Sequence, residues 1–196
     1  MSLANVGTYT LRGEAEVARA RLNAADIDAM VIVENEGGLN PGFYRDYGVR
    51  VVVDEGQLVE ARRLLGILPL DPQVVAAVRQ HARFCAPDEA CGLLSMDALG
   101  DVRMVYCCTN VDRSPSRFTV APEEHFRAIC HAEGNGWEIG GSFHSHPKAD
   151  ARPSSTDVDL WPEPTWVQLI VGGDGEVRGY RLVDGRPQEL MIEPSR

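Results

Sequence analysis

The sequence predicts an α/β protein of two units, a small β-α-β-β-α unit followed by a larger one in which helices and strands alternate. Three observations support this. Apolar residues switch repeatedly between helical spacing and short strand-like runs. Gly66 can end a helix, and two prolines within the next six residues make 66–72 the best boundary, which gives an accessory unit 1–66, a linker 67–72 and a main unit 73–196. With 196 residues, 44% hydrophobic and 24% charged, the chain can bury a sizeable core and is unsuited to wholesale disorder.

In the first unit, residues 8–11 read as a strand, 14–25 as a helix with Ala15, Ala18, Leu22 and Ala25 on one face, and Ala29–Val33 as a second strand. Residues 34–48 hold four glycines, one proline and three aromatic residues, and read as a loop. Residues 49–53 form a third strand and 57–65 a helix. In the second unit, 73–84 and 122–133 are helical, the latter with Glu123 and Glu124 in its first turn, where the helix dipole favours negative charge. Strands are expected at 90–94, 102–108, 139–146, 166–171, 177–182 and 189–192, with a short helix at 154–160. Met1-Ser2-Leu3 is set aside from the fold reading as a remnant of cloning.

The segment GSFHSHPKADARPSSTDVD carries the chemistry. On a strand, residues two apart project from one face, so His144 and His146 can offer imidazole nitrogens to the same ion. Pro147 ends the strand, the following loop turns the chain back, and Asp157 falls in the first turn of the next helix with Ser154 as its N-cap. Two imidazoles, one carboxylate and an open position fit a catalytic zinc site. Taken singly each residue has a commonplace structural role, Ser154 as an ordinary cap above all. Other metal patterns fit worse: the chain has neither His-x-Glu with Pro-Cys-x-x-Cys, nor His-x-His-x-Asp-His, nor a helical His-Glu-x-x-His.

This constellation, His-x-His-Pro-x6-Ser-x-x-Asp with PDEACGLL upstream, resembles the JAMM (MPN+) metalloprotease family over residues 72–192, including Asn110, Arg117-Phe118-Thr119-Val120 and the DGRP turn. EACGLL, SFHSHP and ARPSSTD are most similar to its bacterial stand-alone branch. The resemblance implies a three-layer α-β-α sandwich around a mixed sheet, similar to cytidine deaminases, and one zinc ion held by His144, His146 and Asp157. It makes Glu89 the residue that takes a proton from water and returns it to the leaving amine, and Ser154 the donor to the developing oxyanion. It also implies a substrate: a ubiquitin-like sulfur-carrier protein cleaved after its Gly-Gly tail, with release of cysteine or another amino acid. Neither the inserted loops of eukaryotic deubiquitinating members nor the helix-hairpin-helix segment of RadC-type members is present. Residues 1–66 resemble a family of small signal-transducing domains, for which carrier presentation, dimerisation and ligand sensing are equally open roles.

Charge and composition narrow the alternatives. Nineteen Lys and Arg against 29 Asp and Glu leave a formal charge of −10, which repels nucleic acid and anionic lipid surfaces. No run approaches the length of a membrane helix and no basic-then-apolar leader opens the sequence, so a cytoplasmic protein is expected. Five cysteines, odd in number and without Cys-x-x-Cys, point to reduced thiols rather than a disulfide framework. Cys91, close to Glu89, is expected to pack as a small hydrophobe. Two rival functions remain: a zinc hydrolase of small peptides or cell-wall fragments, and a non-catalytic MPN-type scaffold. Homo-oligomerisation is left open.

Overall fold

A computed structural model describes residues 2–33 and 48–194, and it divides the chain into two compact units, Met1–Ile67 and Leu68–Arg196. No helix among the described residues is long and apolar enough to cross a membrane. In the first unit β1 (Leu3–Tyr9), β3 (Val49–Asp54) and β2 (Ala29–Val33) form an antiparallel sheet in that order. Helices α1 (Arg12–Asn23) and α2 (Leu58–Leu65) complete it, and Ala15, Ala18 and Leu22 of the expected stripe pack with Val6, Val51 and Val53, whereas Ala25 lies beyond the end of α1 and is exposed. The left-handed conformation of Gly66, at φ 71°, ends α2.

Two expectations change here. The first strand is not 8–11 but Leu3–Tyr9, and Leu11 is the N-cap residue of α1. Leu3-Ala4-Asn5 has little intrinsic strand preference. Pairing with the valine-rich β3, from Leu3 opposite Asp54 onward, supplies what the local sequence lacks. The loop reading of 34–48 falls, apart from Gly48, outside the described residues.

The second unit is a seven-stranded sheet in the order β4 (Ile67–Leu70), β10 (Arg186–Pro194), β9 (Val177–Val183), β8 (Val167–Gly172), β7 (Glu138–His146), β5 (Cys91–Met96), β6 (Val102–Cys108). The sheet is mixed: β7 and β8 run parallel, whereas β5 is antiparallel to both β6 and β7, and β9 is antiparallel to β8 and β10. The stretch expected as a linker, 67–72, is therefore mostly strand. All four residues of β4 are buried, and Asp71 then caps helix α3 (Pro72–Cys85) by accepting a hydrogen bond from the Gln73 N–H at 2.7 Å. The prolines that suggested a boundary have other reasons: Pro69 sits on an edge strand and Pro72 in the first turn of a helix, where a missing N–H costs little.

The layers follow from side-chain alternation. Val74 and Val78 of α3 pack with Leu94, Phe143 and Leu169, and the His81 ring meets Phe143 edge-on at 5.9 Å, so α3 covers one face. Helix α4 (Pro122–Gly134) covers the other, where its His131 Nδ1 lies 2.9 Å from the hydroxyl of Tyr106, the cross-strand partner of Leu93. This is the three-layer sandwich that the family resemblance implied. Gly92 of the ACGLL stretch is required by close packing, because a Cβ there would collide with the Tyr106 carbonyl and the Phe143 ring. The last strand starts at Arg186 rather than 189, since Asp184 and Gly185, at φ 50° and 72°, close a two-residue hairpin that lets Arg186 and Pro187 join the ladder.

Candidate metal centre

Strand β7 carries the site on the face opposite Phe143. His144 is fully buried and lies between Cys91 of β5 and Ile170 of β8, while His146, 9% exposed, follows on the same face at the strand end. The chain turns at Pro147 and returns to the short helix α5 (Ser155–Asp159). There Ser154 and Asp157 form a reciprocal cap: the Asp157 N–H donates to Ser154 Oγ at 3.2 Å, and the Ser154 N–H donates to Asp157 Oδ2 at 2.7 Å. The cap points the carboxylate at the histidines. His144 Nε2 lies 3.3 Å from Asp157 Oδ1, His146 Nε2 lies 3.3 Å from Oδ2, and the two Nε2 atoms are 3.0 Å apart. These donor atoms all lie within 4.8 Å of one another, the one group of this kind found among the described residues.

The donor set fits a metal ion. His146 Nδ1 lies 3.0 Å from the Asp150 carbonyl, which can only accept, so that nitrogen carries the proton and Nε2 keeps its lone pair for the ion. His144 stacks on Phe118 with ring centroids 4.8 Å apart, and its Nδ1 is buried without a partner among the described residues. Burial pushes the His144 pKa down, more strongly than Asp157 raises it, which favours the neutral imidazole that a metal needs. Burial also disfavours the charged forms of His146 and Asp157. Their mutual hydrogen bonds outweigh it, holding His146 above its usual value and the Asp157 carboxyl well below the usual carboxylate range.

Glu89, two residues before the start of β5, comes to the same cleft. Its N–H donates to the Ser114 carbonyl at 2.9 Å, and its own carbonyl accepts from Asn110 Nδ2 at 3.0 Å. The next residue, Ala90, is tied to the ligand strand by its N–H to Ser145 Oγ at 2.8 Å and its carbonyl to the Ser145 N–H at 3.0 Å. The serine between the two histidines thus fixes the backbone beside Glu89. Glu89 is 6% exposed, and burial pushes its carboxyl up to about 7, with His146 opposing and Asp157 reinforcing the shift. A cleft of about 670 Å³ opens over Glu89, Phe118, His146, Ser154 and Asp157.

That raised value has a consequence for the metal-free protein. Between its ordinary pKa of 4.5 and about 7, the folded state holds a proton on Glu89 that the unfolded state has lost, so stability falls as pH rises through that window. Glutamine cannot ionise. After chelation, Glu89→Gln is expected to exceed the native chain in stability by up to about 3 kcal/mol at pH 8 and to match it at pH 4. Urea unfolding at both pH values checks this, and an equal difference at the two would contradict burial as the cause.

Other residues of ligand or groove-lining type are structural. Cys91 is fully buried with its thiol pushed up to about 12 by burial, and Cys107 and Cys108 point one outward and one inward. His81 Nε2 lies 3.1 Å from the Cys108 carbonyl. Trp161 packs with Ala151, Ile170 and Tyr180, and its indole N–H donates to the Trp166 carbonyl at 3.2 Å, so it belongs to the core beneath the site rather than to the cleft wall. Sequence reasoning did not assign roles to Phe118, Asn110, Ser145 or the Asp150 carbonyl. Asn110 is the most connected of them, since it also donates to the Arg117 carbonyl and accepts from the Asp112 and Thr119 N–H groups.

Fold and cleft together define a hydrolytic peptidase of the JAMM/MPN+ class. Residues 71–183, more than half of the chain, match the Prok-JAB family, the prokaryotic homologs of the JAB domain, and the chain belongs to that family. It is 33% identical over 131 residues to the CysO-cysteine peptidase of Mycobacterium tuberculosis (strain H37Rv), covering 64% of this chain and 90% of that protein. It is 30% identical over 123 residues to the desampylase of Haloferax volcanii, covering 61% and 87%. Among solved structures, the solution structure of a protein from Desulfitobacterium hafniense is 32% identical with a TM-score of 0.60, over 66% of this chain and 93% of that one.

Proposed function

We propose that this chain is a zinc-dependent peptidase that hydrolyses the amide at the Gly-Gly C-terminus of a ubiquitin-like sulfur-carrier protein, releasing cysteine or another amino acid. One zinc per chain would be held by His144, His146 and Asp157. The observation that carries the reading is the convergence of these three donors with Glu89 in one cleft. A protein-conjugate substrate is supported by relatives that bear the names CysO-cysteine peptidase, desampylase and probable TtuB-protein conjugate cleaving protease.

Zinc held by His144, His146 and Asp157 would supply a Lewis acid for the scissile carbonyl and a water with a pKa of about 7. The protein's own groups do the rest. Glu89 takes a proton from the attacking water on its carboxylate and delivers it to the nitrogen of the leaving amine. Ser154 accepts the Asp157 N–H with one lone pair, so its O–H stays free to donate to the carbonyl oxygen as negative charge develops there. A Gly-Gly tail, without side-chain bulk, can lie extended beside these groups. Residues 1–66 serve in this reading as a separate accessory domain, because every proposed catalytic residue lies beyond them. Loss of zinc binding on their removal would contradict that.

Mass spectrometry of a Gly-Gly-ended carrier bearing a C-terminal cysteine tests the reading. Incubation with the zinc-loaded chain is expected to yield free cysteine and a carrier ending in Gly-Gly. Release of amino acids from short peptides or wall fragments, with every carrier adduct left intact, would replace this substrate by a small one. Hydrolysis of none of these would favour a non-catalytic scaffold.

A further inference from the structure

Gln168 lies on β8, on the sheet face that carries His144. In the parallel pairing of β7 with β8 it stands opposite Ser142, two residues before His144. Strands rise about 3.3 Å per residue, so its row lies about 7 Å from the row of the ligand histidine. The residue is 3% exposed, yet it lines the same cleft as Glu89 and Asp157, with Leu160 and Pro162. Buried amide oxygens ordinarily have partners. Gln168 Oε1 has none among the described residues, and neither has the Oγ of Ser142 beside it, itself 4% exposed. A leucine in that place would fill a similar volume without burying an unpaired polar atom.

We infer that Gln168 is a substrate-binding residue whose carboxamide holds the peptide backbone of the tail, on the acyl side of the bond that is cut. A carboxamide offers an acceptor and a donor side by side, the complement of a peptide group. Two residues of extended chain span about 7 Å, the spacing between the Gln168 and His144 rows. On the other side of the scissile amide, a single released amino acid has no peptide group at that distance, so the contact falls to the residues around the Gly-Gly tail. The inference rests on the substrate proposed above.

Gln168→Leu in the full chain, with Gln168→Met as the substitute if the leucine variant does not fold, tests it by three measurements. Thermal unfolding should be unchanged or shifted upward, since an unpaired buried polar group is removed. On the cysteine-bearing carrier, KM should rise about ten-fold with kcat nearly unchanged, the pattern of lost ground-state and transition-state binding alike. In a chain carrying Glu89→Gln, which cannot turn the ligand over, calorimetric binding of a synthetic peptide ending in Gly-Gly amide should weaken about ten-fold when Gln168→Leu is added. Unchanged KM and peptide affinity would overturn the assignment, and a lowered unfolding temperature with unchanged KM would make Gln168 a packing residue. If the native chain cleaves no carrier adduct, the substrate reading falls separately, and peptide binding alone then decides for or against Gln168.

Discussion

Replacing Glu89 by glutamine is expected to lower hydrolysis about 100-fold or more while leaving the zinc in place. The side chain keeps its size and its place among Ser114, Asn110 and Ser145, because those contacts are to backbone atoms of Glu89 and Ala90. What is lost is an acceptor that can carry a proton from water to the leaving nitrogen. Burial favours a base stronger than an exposed carboxylate and pushes the Glu89 carboxyl to about 7 in the metal-free protein, while the charge of a bound ion would draw it back down. Only the ionised form acts as a base, so the rate of the native enzyme should fall as pH drops below the pKa of Glu89 in the metal-bound protein. A steady-state assay with parallel zinc analysis checks both halves. Near-native activity would remove Glu89 from the mechanism, and loss of zinc would make it a ligand instead.

His146→Ala should do more, because it removes the ion along with the activity. Two donors remain, and His144 and Asp157 cannot by themselves complete the three-ligand set of a catalytic zinc site. Zinc is expected to fall from about one per chain to trace levels after dialysis, with hydrolysis below detection. The fold should persist, since the core of Leu70, Val78, Leu94, Phe143 and Leu169 makes no use of the site. Circular dichroism separates the two effects. A variant that stays folded and keeps stoichiometric zinc would show that the ion lies elsewhere.

The three proposed ligands were legible in the sequence because all fall within one short segment, where strand alternation and a helix cap are local rules. Geometry then added what locality cannot express. Glu89 lies far upstream and could be singled out only by resemblance, since its link to the site runs through Ser145 and Asn110. Phe118 reaches His144 across the fold, and Asp150 contributes a carbonyl that every residue type possesses. Gln168 is one polar residue in a strand-like run, and the lack of a partner for its oxygen among the described residues follows only from what surrounds it. The misread elements have the same origin. Strand β4 contains a proline that reads as a breaker unless its edge position is known, and the start of β1 takes its strand character from β3.

Anomalous diffraction at the zinc edge, on crystals of the purified full chain, tests the central claim most directly. The account predicts a single peak per chain at bonding distance from His144 Nε2, His146 Nε2 and an Asp157 oxygen, with Glu89 beside it and not bound to it. A zinc peak on other residues, or a peak at this site whose absorption edge belongs to iron, would contradict it.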